Sequence, residues 1–214
     1  MKHADALKIA EELVERLRPA CTRIEIAGSV RRGKPEVKDI EIVAIPDLVP
    51  VPRERPEFGK PIPKVYKTKL DAILEKMFQE EIIRREKDGE KYKKLLVDPQ
   101  EFGVEGEPYG GSENLIHPVK VDLFLVTPPA EWGVQMVIRT GPADFSHWCV
   151  TRRRNGGALP NMYRVQDAAV WIGDREEKNP DLSTKLSMPE EIDFLRFLGL
   201  DWIEPGEREA RWTR

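Results

Sequence analysis

The sequence predicts an α+β fold, on three observations. Leu7, Ala10, Leu13, Val14 and Leu17 recur at helical spacing near the start of the chain, the stripe with which a helix covers a core. Asp39-Ile40-Glu41-Ile42-Val43 alternates charged and apolar residues, the period of a half-buried strand. Val119-Lys120-Val121-Asp122-Leu123-Phe124-Leu125-Val126 is rich in β-branched and aromatic residues and reads as another strand.

The elements follow in order. A helix is expected over 4–17, with Pro19 after its stop. Arg23-Ile24-Glu25-Ile26-Ala27 alternates as a strand leading into the turn Gly28-Ser29-Val30-Arg31-Arg32-Gly33. In the strand from Asp39, Ile40, Ile42 and Ala44 face a core while Asp39 and Glu41 share the other face. The proline-rich run 46–63 reads as a loop. Leu70, Ile73, Leu74 and Met77 predict a helix over 69–81. Strands at 82–85 and 92–97 pair around Lys87-Asp88-Gly89. Glycines make 99–118 a loop, where Gly110-Gly111-Ser112 mimics a phosphate turn with no spaced carboxylates close behind it. In the strand 119–126, Val119, Val121, Leu123 and Leu125 share one face, and Asp122 lies on the other between Lys120 and Phe124. Thr127-Pro128-Pro129 marks a boundary; a helix near 143–153, strands around 163–165 and 170–172, and a helix over 189–198 complete the chain.

Composition narrows the class. At 214 residues the chain makes one large domain or two small ones. No apolar run is long enough to span a bilayer, and the first residues do not form a signal peptide. Cys21 and Cys149 have neither zinc spacing nor a disulfide pattern, so a reduced, cytoplasmic protein is expected, without membrane contact and monomeric. The net charge of −3 does not by itself suggest nucleic acid, but residues 60–94 carry a local excess of basic groups, and Arg152-Arg153-Arg154 form a compact basic step. Such a face can steer a polyanion to a weakly negative protein; equally, a charge run can be a solvated surface.

The carboxylates carry the chemistry. Two acids side by side on a strand are electrostatically costly without a cation, and Mg²⁺ takes oxygen ligands from one or two carboxylates plus substrate phosphates. The Gly28-Ser29 turn offers backbone N–H groups and a hydroxyl beside Arg31 and Arg32, an anion cradle. If the strand of Asp122 pairs beside that of Asp39 and Glu41, three carboxylates converge, as a two-cation phosphoryl-transfer site requires. Any one of the three, alone, could equally be a solvated strand charge.

The run from Ala27 to Glu41 resembles the nucleotidyltransferase signature of family X DNA polymerases, the group that includes DNA polymerase beta. Thr140-Gly141-Pro142-Ala143-Asp144-Phe145-Ser146 is similar to that family's nucleotide-pocket segment, and 189–205 resembles its C-terminal ending. The resemblance implies a palm of mixed sheet with helices on one side over 1–128 and a small α+β thumb over 129–214, with no room for a preceding lyase domain. It implies Asp39, Glu41 and Asp122 as catalytic ligands of two Mg²⁺ ions, with Mn²⁺ as a substitute. Gly28, Ser29, Arg32, Arg139, Thr140, Gly141 and Phe145 then bind the incoming dNTP. Lys120 lies near the primer strand of a primer-template or gapped DNA, with Arg152, Arg153 and Arg154 on the DNA-facing side.

The chain departs from the family pattern at four places. Glu41 stands where Asp is usual, and Phe124 where Arg is common. Ile138-Arg139 replaces an aromatic pair that limits ribose entry, and Ser146 replaces a base-contacting Asn. His147 and Trp148 read as structural residues, with base stacking by Trp148 as the other option. The resemblance implies a small gap-filling or repair-type DNA polymerase. A template-independent nucleotidyltransferase acting on a nucleic-acid end or another hydroxyl, and a catalytically silent nucleic-acid-binding module, are the alternatives.

Overall fold

The computed structural model describes residues 1–49, 67–105, 108–109, 112–173 and 184–213; at 67, 108–109 and 112–116 only the backbone is described. Most of the proline-rich run and Gly110-Gly111 therefore lie outside the described residues.

The chain is α+β, as its patterning predicts. Helix α1 (His3–Leu17) leads into strand β1 (Cys21–Ile26), the short helix α2 (Gly28–Arg31) and β2 (Ile40–Pro46). Two short strands, β3 (Leu48–Val49) and β4 (Lys67–Thr68), pair before α3 (Lys69–Gln79). The hairpin β5 (Ile83–Asp88) and β6 (Tyr92–Val97) follows, then β7 (Pro108–Tyr109), β8 (Ser112–Ile116) and β9 (Val119–Leu125). The rest comprises α4 (Trp132–Thr140), α5 (Ala143–Val150), β10 (Tyr163–Gln166), β11 (Ala169–Ile172), β12 (Lys185–Leu186) and α6 (Glu191–Leu198).

The main sheet runs β1-β2-β9-β6-β5. It is mixed: β2 and β9 are parallel, and the other neighbours are antiparallel. One face is the predicted core. Ile40, Ile42 and Ala44 of β2 and Val119, Val121, Leu123 and Leu125 of β9 are buried against α1 and α3. Alternation along both strands leaves Glu41, Asp122 and Phe124 on the opposite face. There Phe124 packs with Ala27, Val43, Trp132 and Met136. Helix α4 spans this layer and a further core formed with α5, α6 and β11 around Phe145, Trp148, Val170 and Phe194.

Several elements differ from expectation. The Gly-Ser turn winds into α2, and the strand proper begins at Ile40, so Asp39 sits in the approach to it. The glycine-rich stretch holds the β7–β8 pair. Helix α4 adds to the expected elements, and Trp132, Gly133, Val134, Gln135, Met136, Val137 and Thr140 along it are all buried. Thr140 ends α4, and Pro142 is the N-cap of α5.

Candidate active site

Parallel pairing of β2 with β9 sets Glu41 opposite Asp122. Asp39 lies two residues upstream, and all three carboxylates are half-buried. They share a common field, but among the described residues no three acidic, imidazole or thiol groups close to a ready-made metal-ligand set. Instead, Tyr92 donates its hydroxyl to Asp122 Oδ1 at 2.6 Å. Burial pushes the Glu41 carboxyl up to about 7; Asp39 adds to the rise, Arg139 and Arg32 oppose it, and Asp122 adds a smaller push. A buried carboxylate with two acids near it is a group whose charged form a bound cation would stabilise.

The cradle is built against Glu41. Ala27 N–H donates to the Glu41 carbonyl at 2.8 Å, which fastens the start of α2 to β2. Gly28 adopts φ +63°, and a Cβ there would lie 2.1 Å from Glu41 Oε2, so only glycine fits. Ser29 Oγ, Arg32 Nε and Arg139 Nε are buried without a hydrogen-bond partner. Burial lowers the Arg32 pKa against the opposing pull of Glu41 and Asp39. Three orphaned donors beside paired carboxylates suit an anionic ligand bridged by cations, because an unsatisfied buried donor costs about 1–3 kcal/mol until a partner arrives.

Residues from the far end of α4 complete the cleft. Arg32 Nη1 donates to the Thr140 carbonyl, and Arg31 Nη1 donates to Thr140 Oγ1 at 2.8 Å. Gly141 (φ +72°) leaves room for Arg32 Nη1, which would lie 2.9 Å from a Cβ. Arg31 also pairs with Glu191 of α6 at 2.5 Å, so it ties α2 to two later helices. Arg139 lies 3.8 Å from the centre of the Phe124 ring. Two of the sequence departures thus meet in one cation–π contact.

The structure therefore brings together Gly28, Ser29, Arg32, Asp39, Glu41, Asp122, Arg139, Thr140 and Gly141. Lys120 is exposed two residues before Asp122, on the same side of β9. Phe145 is fully buried in the core, where it packs with Trp148 and is inaccessible to a ligand. Ser146 spends its hydroxyl on the Ile138 carbonyl at 2.7 Å. Arg152 Nε donates to the Tyr163 carbonyl, and Arg153 donates to the Ala158 and Leu198 carbonyls; Arg154 is exposed. His147 packs edge-on against Trp212. Sequence reasoning missed Tyr92. Its one signal was an aromatic residue in a strand, which reads as β-propensity alone.

No protein-family model matches the chain, and no curated protein does. Among solved structures, it is similar to the crystal structure of Leishmania infantum polymerase beta in a ternary P/T complex. The match has a TM-score of 0.65 at 16% identity and covers 98% of this chain and 76% of that one. Among the described residues no helix is long and apolar enough to cross a membrane. The five-stranded mixed sheet and its helices share the fold of that polymerase beta structure.

Proposed function

We propose that this protein transfers a nucleotidyl group from a dNTP to a DNA primer 3′-hydroxyl, as a small gap-filling DNA polymerase. The observation that carries the proposal is the register of Glu41 with Asp122 behind the Gly28-Ser29-Arg32 cradle. In this reading 1–128 form the palm and 129–214 the thumb, and the solved polymerase beta complex supports DNA as the partner.

Asp39, Glu41 and Asp122 would hold Mg²⁺ ions, since three carboxylates offer the oxygen donors that Mg²⁺ takes. When bound, the ions supply Lewis-acid charge to the reacting oxygens. The protein's own part is positioning and neutralisation. Ser29 Oγ and the α2 backbone hydrogen-bond the triphosphate, and Arg32 clamps it with its unpaired Nε. Asp122 Oδ2 accepts the hydrogen bond of the primer hydroxyl and orients it. The hydroxyl gives its proton to Asp122 Oδ2, its oxygen bonds to the α-phosphorus, and the bond to the α,β-bridging oxygen breaks, so that pyrophosphate leaves toward the cradle. Of the four basic residues named from the sequence, Lys120 and Arg154 are left to meet phosphates, because Arg152 and Arg153 donate to backbone carbonyls. The proposal is tested by transfer of labelled dNMP to gapped DNA with Mg²⁺ and with EDTA; metal-dependent transfer is expected, and transfer that persists in EDTA refutes it.

Arg32→Ala is expected to raise the KM for dNTP about tenfold or more, since a charge-assisted guanidinium contact to phosphate is lost. DNA affinity should change little. Weakened DNA binding with a normal dNTP KM would place Arg32 on the nucleic acid.

Arg139 bears on sugar choice. Position 139 carries no ring, and its guanidinium rests on Phe124. The native preference for dGTP over GTP in kcat/KM is expected to be weak, on the order of 10², and Arg139→Phe should raise it. A native ratio above about 10⁴ that Arg139→Phe leaves unchanged would put the sugar gate elsewhere.

A further inference from the structure

Tyr92 opens β6 and sits in register with Phe124, so both rings share the site face of the sheet with Asp122. The rings stack with centroids 5.2 Å apart and an interplanar angle of 26°. The Tyr92 hydroxyl donates to Asp122 Oδ1 at 2.6 Å, across 30 positions of sequence. Phe124 in turn carries Arg139 3.8 Å from its ring centre. One side chain thus touches the carboxylate of β9 with its hydroxyl and the platform under Arg139 with its ring.

We propose that Tyr92 is a positioning residue of this site. Its hydroxyl fixes the Asp122 carboxylate with Oδ2 turned toward the cation and the attacking hydroxyl, and its ring seats Phe124 beneath Arg139. This rests on the nucleotidyl-transfer reading above. The physical case is orientational. An aspartate on a strand has two rotatable bonds and two equivalent oxygens; a short charge-assisted hydrogen bond to one oxygen selects one rotamer and leaves the other oxygen for chemistry. Partners of this kind, which orient a metal-binding carboxylate, typically change metal affinity or activity about 10–100-fold when removed. The hydroxyl is anchored by the stacked ring, so its placement does not depend on a flexible side chain.

Two variants separate the hydroxyl from the ring. Tyr92→Phe keeps the stack on Phe124 and removes only the hydrogen bond. It is expected to weaken Mn²⁺ binding to the nucleotide-free protein, read by electron paramagnetic resonance, about 10–100-fold. It should lower kcat on gapped DNA by a similar factor and leave the KM for dNTP and the circular-dichroism melting profile near those of the parent. Tyr92→Leu removes the ring as well, and should in addition raise the dNTP KM and alter the dGTP/GTP ratio through Arg139. Parental Mn²⁺ affinity and parental kcat in Tyr92→Phe would overturn the role of Tyr92 and leave nucleotidyl transfer standing. Failure of the parent itself to bind Mn²⁺ and to transfer a nucleotide would overturn the functional reading, and the role of Tyr92 with it.

Discussion

Asp39→Asn, Glu41→Gln and Asp122→Asn are each expected to abolish nucleotide transfer. Removing a single electrostatic stabiliser of a transition state costs on the order of 10²–10³ in rate, and a carboxylate that shares two cations should cost at least that. The substitutions are near-isosteric, and Glu41 and Asp122 project from strands whose opposite faces are fully packed, so the sheet should persist. Burst kinetics on gapped DNA with Mg²⁺, alongside circular dichroism, would check this. Near-normal turnover by Asp122→Asn would remove that residue from the chemistry.

The second large effect is on stability, and it has the opposite sign to the loss of activity. Glu41 titrates at about 7 in the folded chain, against 4.5 ordinarily, chiefly because of burial. Between those values the folded state holds a proton that the unfolded state has released. Stability therefore falls as pH rises from about 4.5 to 7, by no more than about 3 kcal/mol, and the penalty is fully present above 7. Gln mimics the protonated acid. In EDTA, Glu41→Gln should melt above the parent at pH 8, by up to about 10 °C, and close to it at pH 5. Added Mg²⁺ should raise the melting temperature of the parent more than that of the variant. Equal melting temperatures at both pH values would mean that Glu41 is not held at cost in the metal-free protein. The chain would thus give up stability to keep a charged ligand buried, as functional sites commonly do.

Local patterning made much of this site legible. Ile40, Ile42 and Ala44 alternate with Asp39, Glu41 and Val43 along the approach and the strand, so the face of Glu41 follows from the period of two. The same holds for Asp122 between Val121 and Leu123. The register of Glu41 against Asp122 was legible only as a condition, because it depends on pairing between strands about 80 positions apart, which local periodicity does not encode. Tyr92 was invisible for the same reason: its hydroxyl finds its acceptor only once β6 pairs with β9. Arg152 and Arg153 carry a second part that adjacency did not show: their guanidinium groups donate to carbonyls of Tyr163, Ala158 and Leu198. Phe145 is similar: a pocket motif located it, and packing claimed it for the core.

The most direct measurement is single-nucleotide extension of a labelled primer on gapped, primed and single-stranded DNA, with each dNTP and NTP in turn and Mg²⁺ present. Addition of the complementary dNMP to gapped and primed DNA, with little on single strands, is the predicted result. No addition to any substrate, or addition to single strands whatever the template, would contradict a template-directed DNA polymerase.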